Sequence, residues 1–339
     1  MIPHNRPLIK TADIESVNEV LGSGYIAQGP RVEALEREFC TLLGDGYACA
    51  LSSGTAALAM ALHGLGAGKG DRVTVPTYAC SALLNAIYFI GAHPVIVDVK
   101  EDDFTIGTGN IETDFVIPVN TFGAQSNVSE LVNDGHIVIE DCAQSLGGKL
   151  SDTPAARIYS FYATKIITGG QGGLVWSTED VIDSVKDYRE FDRVEEYYPR
   201  FNLQMTDIQA AMISSQLTRL NDIRLKRQLL YSAYAGECSE LFASGWNMQM
   251  GDITMPYRFV LVAPSNEDRD NMHKHMRSNG VATIVPIEQY ELLHNYLGLP
   301  KNKFPVAEKL VATTISIPLY PDLKDYEIKT ICEALRTFH

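Results

Sequence analysis

The chain has 339 residues, 45% hydrophobic and 21% charged, enough to bury a large core and to form two or three domains. Its net charge of −14, with no basic stripe, argues against a nucleic-acid partner, and no apolar run approaches membrane-spanning length. The start, MIPHNRPLIK, lacks the apolar core of a signal peptide. Six cysteines without a CxxC pair read as free thiols, so a cytoplasmic protein is expected. His273 and His275 lie two apart on a predicted helix and point to different faces, so no metal site is expected.

In chain order, the first few dozen residues read as helical and are expected to pack beside the C-terminal unit. From Tyr47 onward, apolar runs alternate with amphipathic stretches. "YACALS" is a predicted strand, "TAALAMALHGLG" a helix, and "RVTVP" and "PVIVDV" are strands around a helix from about Ser81 to Ile90. "DFVIPVN" and "HIVIED" follow as strands. The runs are continuous and β-branched, as in parallel strands covered on both faces, so an α/β sandwich with a mostly parallel sheet is expected. After Trp176 come two predicted helices, from Thr178 to about Arg193 and from Thr206 to about Ala235. A smaller α+β unit closes the chain: strand "YRFVLV", a helix opening near Ser265, strands "VATIV" and "ISIPL", and a helix after Pro321. The division expected is an N-terminal segment over 1–14, a large domain over 15–240 and a small domain over 241–339, with a cleft between the two domains.

Four segments could carry chemistry. "GLGAGKGD" fails as a nucleotide loop, because Gly70 stands where a P-loop needs Ser or Thr; it reads as a helix cap and turn. "SSGTAAL" joins a strand to a helix, so the N–H groups of Gly54, Thr55 and Ala56 make either a phosphate cradle or a plain Ser/Thr-capped terminus. "HIVIEDCAQS" ends a strand with two acids, either surface caps or a functional anion at a strand's carboxyl end. In "SFYATKIITGGQGG", Lys165 lies among aromatic and β-branched residues without a neighbouring acid. Such surroundings turn a lysine into a usable amine nucleophile, and the glycines at 169, 170, 172 and 173 would let the backbone approach a ligand. The plainer reading of Lys165 is a snorkelling strand end.

A phosphate cradle, an acid ending a strand and a lone lysine, in that order, match the way pyridoxal 5'-phosphate is anchored. At this point the chain resembles the DegT/DnrJ/StrS sugar aminotransferases over nearly its whole length. "SGYIAQGPRVEALEREF", "SSGTAALAMALHGLGAGKGDRVTVPTY", "IEDCAQSLGG", "SFYATK", "FNLQMTDIQAAM" and "ISIPLYPDL" carry the likeness. The resemblance implies the type I PLP-transferase fold, a three-layer sandwich with a small α+β C-terminal domain. It implies that Lys165 is the Schiff-base lysine and that Asp141 pairs with the pyridine nitrogen. Gln144 would lie near the ring hydroxyl, and Gly54, Thr55, Ala56 and Ser160 would hold the phosphate. The "FNLQM" loop would reach the neighbouring subunit's phosphate through Asn202 or Gln204, making a homodimer with shared active sites.

Three departures stand out. Cys80 occupies the place of an aromatic residue that often stacks on the cofactor ring, so stacking is weaker or comes from Tyr78. Gln204 is neutral where relatives are often basic, and "VPIEQYELLHNYLG" replaces a Pro-Leu-His stretch. The activity implied is ping-pong amine transfer from L-glutamate to a keto-sugar, nucleotide-linked, in amino-sugar, surface-glycan or secondary-metabolite biosynthesis. A cyclitol acceptor stays open. Relatives that dehydrate deoxysugars carry His at the Schiff-base position, so Lys165 argues against a lyase. Intact Lys165 and Asp141 argue against a non-catalytic regulator.

Overall fold

The computed structural model describes residues 1–109, 111–151, 153–192 and 194–338. Two helices open the chain, α1 (Thr11–Ser23) and α2 (Pro30–Leu43). Strands and helices then alternate through β1 (Tyr47–Leu51), α3 (Gly54–Gly64), β2 (Arg72–Pro76), α4 (Ala82–Phe89) and β3 (His93–Val97). After β4 (Phe115–Val116), α5 (Val128–Asn133), β5 (Ile137–Asp141), β6 (Ala156–Ser160) and β7 (Gly173–Ser177) come α6 (Glu179–Arg189), α7 (Asp207–Leu217), α8 (Leu220–Glu237) and the short α9 (Ser239–Ala243). The C-terminal unit holds β8 (Asn247–Met248), β9 (Phe259–Val262), α10 (Asn266–Ser278), α11 (Leu293–Tyr296), α12 (Pro305–Thr313), β10 (Thr314–Ile317) and α13 (Asp325–Arg336).

Seven strands form one sheet in the order β1-β7-β6-β5-β4-β2-β3, parallel except where β7 runs against β6 and β1. Alternation along each strand builds three layers. In β1, Cys49 and Leu51 face a core shared with α3, α4 and α6, whereas Ala48 and Ala50 face one shared with α2 and α7. Helix α3 is buried from Ala56 through Leu62, and its small side chains let it lie close on the sheet. A second, antiparallel sheet, β10-β9-β8, packs under α10 and α13 around Phe259, Met276, Ile315 and Ile331. Among the described residues, no helix is long and apolar enough to cross a membrane.

Several expected elements differ. "DFVIPVN" yields only a two-residue strand; Pro118 has no N–H for the ladder, though its carbonyl still accepts from Asp141. "VATIV" is not a strand but two isolated bridges, Val281 to Ile2 and Ile284 to Ser316. The single helix expected over 206–235 is broken at Arg219 (φ −109°, ψ 10°), whose guanidinium holds both oxygens of Asp13 at 2.9 Å. Helix α6 ends at Arg189; the expected end at Arg193 lies outside the described residues. The N-terminus divides: Ile2 and His4 touch the C-terminal unit, but α1 and α2 pack on α7.

Candidate active site

The carboxyl ends of β2, β5 and β6 and the start of α3 enclose a cavity of about 380 Å³, which the C-terminal unit covers from the other side. Of the residues expected at the site, Gly54, Thr55, Cys80, Asp141, Gln144, Ser160 and Lys165 line the cavity. A Cβ on Gly54 would come within 2.8 Å of Ser160 Cβ, so glycine lets the helix start and the end of β6 close on one point. Ser53 caps α3 by accepting from the Ala56 N–H at 3.1 Å, and Ala56 does not line the cavity. The Ala56 donor expected for a phosphate is therefore already engaged. One of the glycines after Lys165, Gly173, serves a different neighbour from the one expected. A Cβ on Gly173 would fall 2.2 Å from Ser53 O, so this glycine lets β7 meet the backbone ahead of α3 rather than a ligand.

Asp141 ends β5 and is buried, not a surface cap. Its Oδ1 accepts from the Ala143 N–H at 2.9 Å, and at the cavity wall Oδ2 has no hydrogen bond among the described residues. Burial pushes its carboxyl above the ordinary range, while the Ala143 hydrogen bond and the charge of Lys165 partly oppose the shift. Lys165 sits in the turn after β6, half-buried, with no ion pair among the described residues and with Nζ 5.4 Å from the Tyr257 ring centre. Gln144 Oε1 accepts from the Phe122 N–H at 2.8 Å, which turns its amide N–H groups free for another acceptor. Phe122 holds an uncommon φ of 54° there, between Asn120 and the Gly123 turn.

The model of the DegT/DnrJ/EryC1/StrS aminotransferase family matches residues 7–336. The chain belongs to that family. It is 28% identical to the spore coat polysaccharide biosynthesis protein SpsC of Bacillus subtilis, over 99% of this chain and 96% of SpsC. It superposes on Spr1654 from Streptococcus pneumoniae in its PMP form with a TM-score of 0.89 at 26% identity, covering 99% of this chain and 97% of that one. For NtdA from Bacillus subtilis with bound cofactor PMP, the TM-score is 0.86 at 26% identity, over 96% of this chain and 82% of NtdA. This aminotransferase thus has the type I fold and is a PLP-dependent transaminase of the sugar aminotransferase family.

The aminotransferase's own residues suit that cofactor. The cavity offers a helix N-terminus with a serine for a phosphate, a buried carboxylate with an unbonded oxygen for a ring N–H, and a lysine without an acid partner for an aldehyde. Tyr78 is not available to cover the ring. Its side chain is fully buried between Phe104 and Phe122, with its hydroxyl 3.1 Å from Thr314 Oγ1. Asn202 and Gln204 lie off the cavity of their own chain. The Asn202 side chain accepts from the Gln204 N–H, and Gln204 Nε2 donates to Glu190.

Sequence reasoning missed Tyr257 and Arg258, which it read only as the start of "YRFVLV". Burial would raise the Tyr257 phenol, but Lys165, Arg258 and a Thr164 hydrogen bond bring it below its ordinary range. The available signal was the one used for Lys165: a cation at an apolar strand with no acid beside it. Pro286, Ile287, Glu291 and Tyr296 complete the wall, from the stretch that departs from the family pattern.

Proposed function

We propose that this transaminase moves the amino group of L-glutamate onto a keto-sugar, nucleotide-linked, in amino-sugar biosynthesis in the cytoplasm. The observation that carries the reading is the meeting, in one cavity, of an unpaired Lys165, a buried Asp141 and the start of α3 at Gly54 and Thr55. Pyridoxal phosphate, when bound, supplies a conjugated ring that accepts the electron pair released at the substrate's α-carbon. In this reading Asp141 Oδ2 accepts from the ring nitrogen and keeps it protonated. Gln144 donates to the ring hydroxyl, and Ser160, Thr55 and Gly54 hold the phosphate. Lys165 would hold the aldehyde and, as a free amine, would move the proton of the donor's α-carbon. A wide, half-open cavity bounded by the family-atypical stretch at 286–296 gives the acceptor its room.

The proposed assembly is a homodimer of large (15–240) and small (241–339) domains with a short N-terminal segment (1–14), in which Asn202 or Gln204 completes the partner's phosphate site. Exposed Tyr197 and Phe201, the latter packed on exposed Phe89, support an interface along this loop. The test mixes two inactive variants, Lys165→Ala and Asn202→Ala, under conditions of subunit exchange. Mixed dimers then contain one site with both defects and one with neither, so transfer from L-glutamate to a panel of nucleotide keto-sugars should reappear. No recovery despite proven exchange, or a fully active monomer, refutes the shared site.

A further inference from the structure

We propose that His294 is a positioning residue for the amine acceptor: by clamping the 289–296 segment onto the end of β2, it sets the cavity wall that carries Glu291 and Tyr296. Both of those residues line the catalytic cavity, and His294 does not. Its ring is fully buried and stacked on Phe304, with centroids 4.2 Å apart and planes 9° from parallel. The two ring nitrogens join different elements. Nδ1 lies 2.7 Å from Thr77 Oγ1, just past β2, and Nε2 lies 3.0 Å from Glu308 Oε1 on α12. The tautomer with its proton on Nε2 closes this set. Nε2–H donates to the carboxylate, Nδ1 accepts from the Thr77 hydroxyl, and Thr77 Oγ1 accepts from the His294 N–H at 3.2 Å. Around it, the Thr77 carbonyl accepts from the Leu293 N–H at 3.1 Å, and Glu308 Oε2 accepts from Gln289 Nε2 at 2.6 Å. The segment is thereby tied at both ends to β2 and α12.

The place of the clamp gives it a role beyond packing. Thr77 leads directly into Ala79, Cys80 and Ser81, which line the cavity, so one residue supports two of its walls. Leu292 and Leu293 are fully buried in two different apolar clusters and already hold the segment to the core. Apolar contact has no direction, so it leaves the segment free to turn or slide. An apolar side chain would fill the space beside Phe304 without needing partners; the imidazole, bonded at both nitrogens, adds a single allowed placement. The groups expected to face the cofactor, Lys165, Asp141 and Gly54, sit on other elements, so losing the clamp should spare them. This role rests on the proposed reading in which the 286–296 wall gives a keto-sugar its room.

Cofactor-loaded wild type, His294→Phe, Thr77→Val and Thr77→Ser are compared in separate half-reactions, with L-glutamate as donor and a panel of nucleotide keto-sugars as acceptors. His294→Phe keeps a ring beside Phe304 and loses both hydrogen bonds. Thr77→Val keeps the shape and loses the hydroxyl, and Thr77→Ser keeps the hydroxyl. In the first two, the acceptor concentration giving half-maximal rate should rise about ten-fold, the scale for a buried polar group left unpaired. The maximal rate and the donor half-reaction should change by less than about two-fold. Thr77→Ser should track wild type, and the Thr77 pair decides if His294→Phe does not fold. Amide hydrogen exchange over 289–296 should quicken in His294→Phe and Thr77→Val but not in Thr77→Ser. An unchanged acceptor requirement in folded His294→Phe, an equal loss in both half-reactions, or a Thr77→Ser as impaired as Thr77→Val would overturn the role. If wild type aminates none of the sugars, the proposed function falls and exchange alone judges the clamp: quickening confined to 289–296 keeps it, and unchanged exchange overturns it.

Discussion

Two neighbouring carboxylates at the end of β5 have opposite surroundings. Glu140 is 1% exposed, and both its oxygens are satisfied: Oε1 accepts from Asn120 at 2.8 Å, Oε2 from Arg157 at 3.1 Å and from Ser151. Arg157 in turn lies over the Trp176 ring, 4.7 Å from its centre. Asp141 is 8% exposed, lines the cavity and, among the described residues, has one oxygen engaged. Consecutive residues of a strand face opposite sides, so one acid is buried in a completed network and the other in an incomplete one. Buried charges that are complete on their own hold the fold; those left incomplete wait for a ligand.

Breaking the complete side should produce the largest change in stability. Glu140→Gln leaves Arg157 buried without its counter-charge, which costs about 3–5 kcal/mol. Urea unfolding should report that loss, while the variant that folds keeps its cofactor's absorbance. An Asp141→Asn enzyme should behave in the reverse way. It should fold and retain some cofactor but lose turnover by roughly 10²- to 10³-fold, the scale for removing one group that stabilises developing charge. Near-normal turnover in Asp141→Asn would erase the distinction between the two acids.

The sequence made part of this contrast legible. "HIVIED" put two acids at the end of a strand, the order of cradle, acid and lysine pointed to a cofactor site, and the family resemblance singled out Asp141 and Lys165. What it could not supply was the partner of each acid. Glu140 is completed by Asn120 and Arg157, 20 and 17 residues away, and only the sheet brings them together. For the same reason Tyr257 and Arg258 passed as an ordinary strand start: their roles depend on the C-terminal unit meeting Lys165 across the cavity. Local turn chemistry was also underweighted where strands failed. Pro118 ended β4 early, and the 281–285 run pairs at two separate points instead of along an edge. The layer order, the mostly parallel sheet and the cap in "GLGAGKGD" were readable because they depend on local pattern alone. There, Gly66 takes a φ of 85° and Asp71 accepts from the Gly68 N–H.

The incompleteness of Asp141 has a sign that can be measured without turnover. Burial raises its carboxyl in the folded chain above the ordinary 3.8, so the folded state holds the proton more tightly than the unfolded one. Stability from this group is therefore present at low pH and is lost as pH rises through the folded value. Asparagine is neutral throughout. Cofactor-free Asp141→Asn should melt above cofactor-free wild type at neutral pH, and the two curves should converge as pH falls toward the ordinary carboxylate value. A difference independent of pH would mean that the Asn changes packing rather than removing an uncompensated charge.

The smallest effect expected lies where the site is incomplete in shape rather than in charge. Cys80 is exposed on the cavity wall, and its thiol makes no hydrogen bond among the described residues, so it contributes only its small volume. Tyr78, two residues earlier, is committed to the core and cannot swing out without abandoning Phe104, Phe122 and Thr314. Introducing a ring by Cys80→Phe adds an aromatic face to that wall, worth about 0.5–1.5 kcal/mol if it stacks. The rate of cofactor loss on dilution, followed by absorbance, should then fall by roughly two- to ten-fold. Cys80→Ala removes a thiol without polar partners and should change that rate by less than about two-fold. If the Ala variant instead sheds cofactor far faster than wild type, the thiol itself contributes to holding it. Cys80 would then join Asp141 among the groups that a ligand completes.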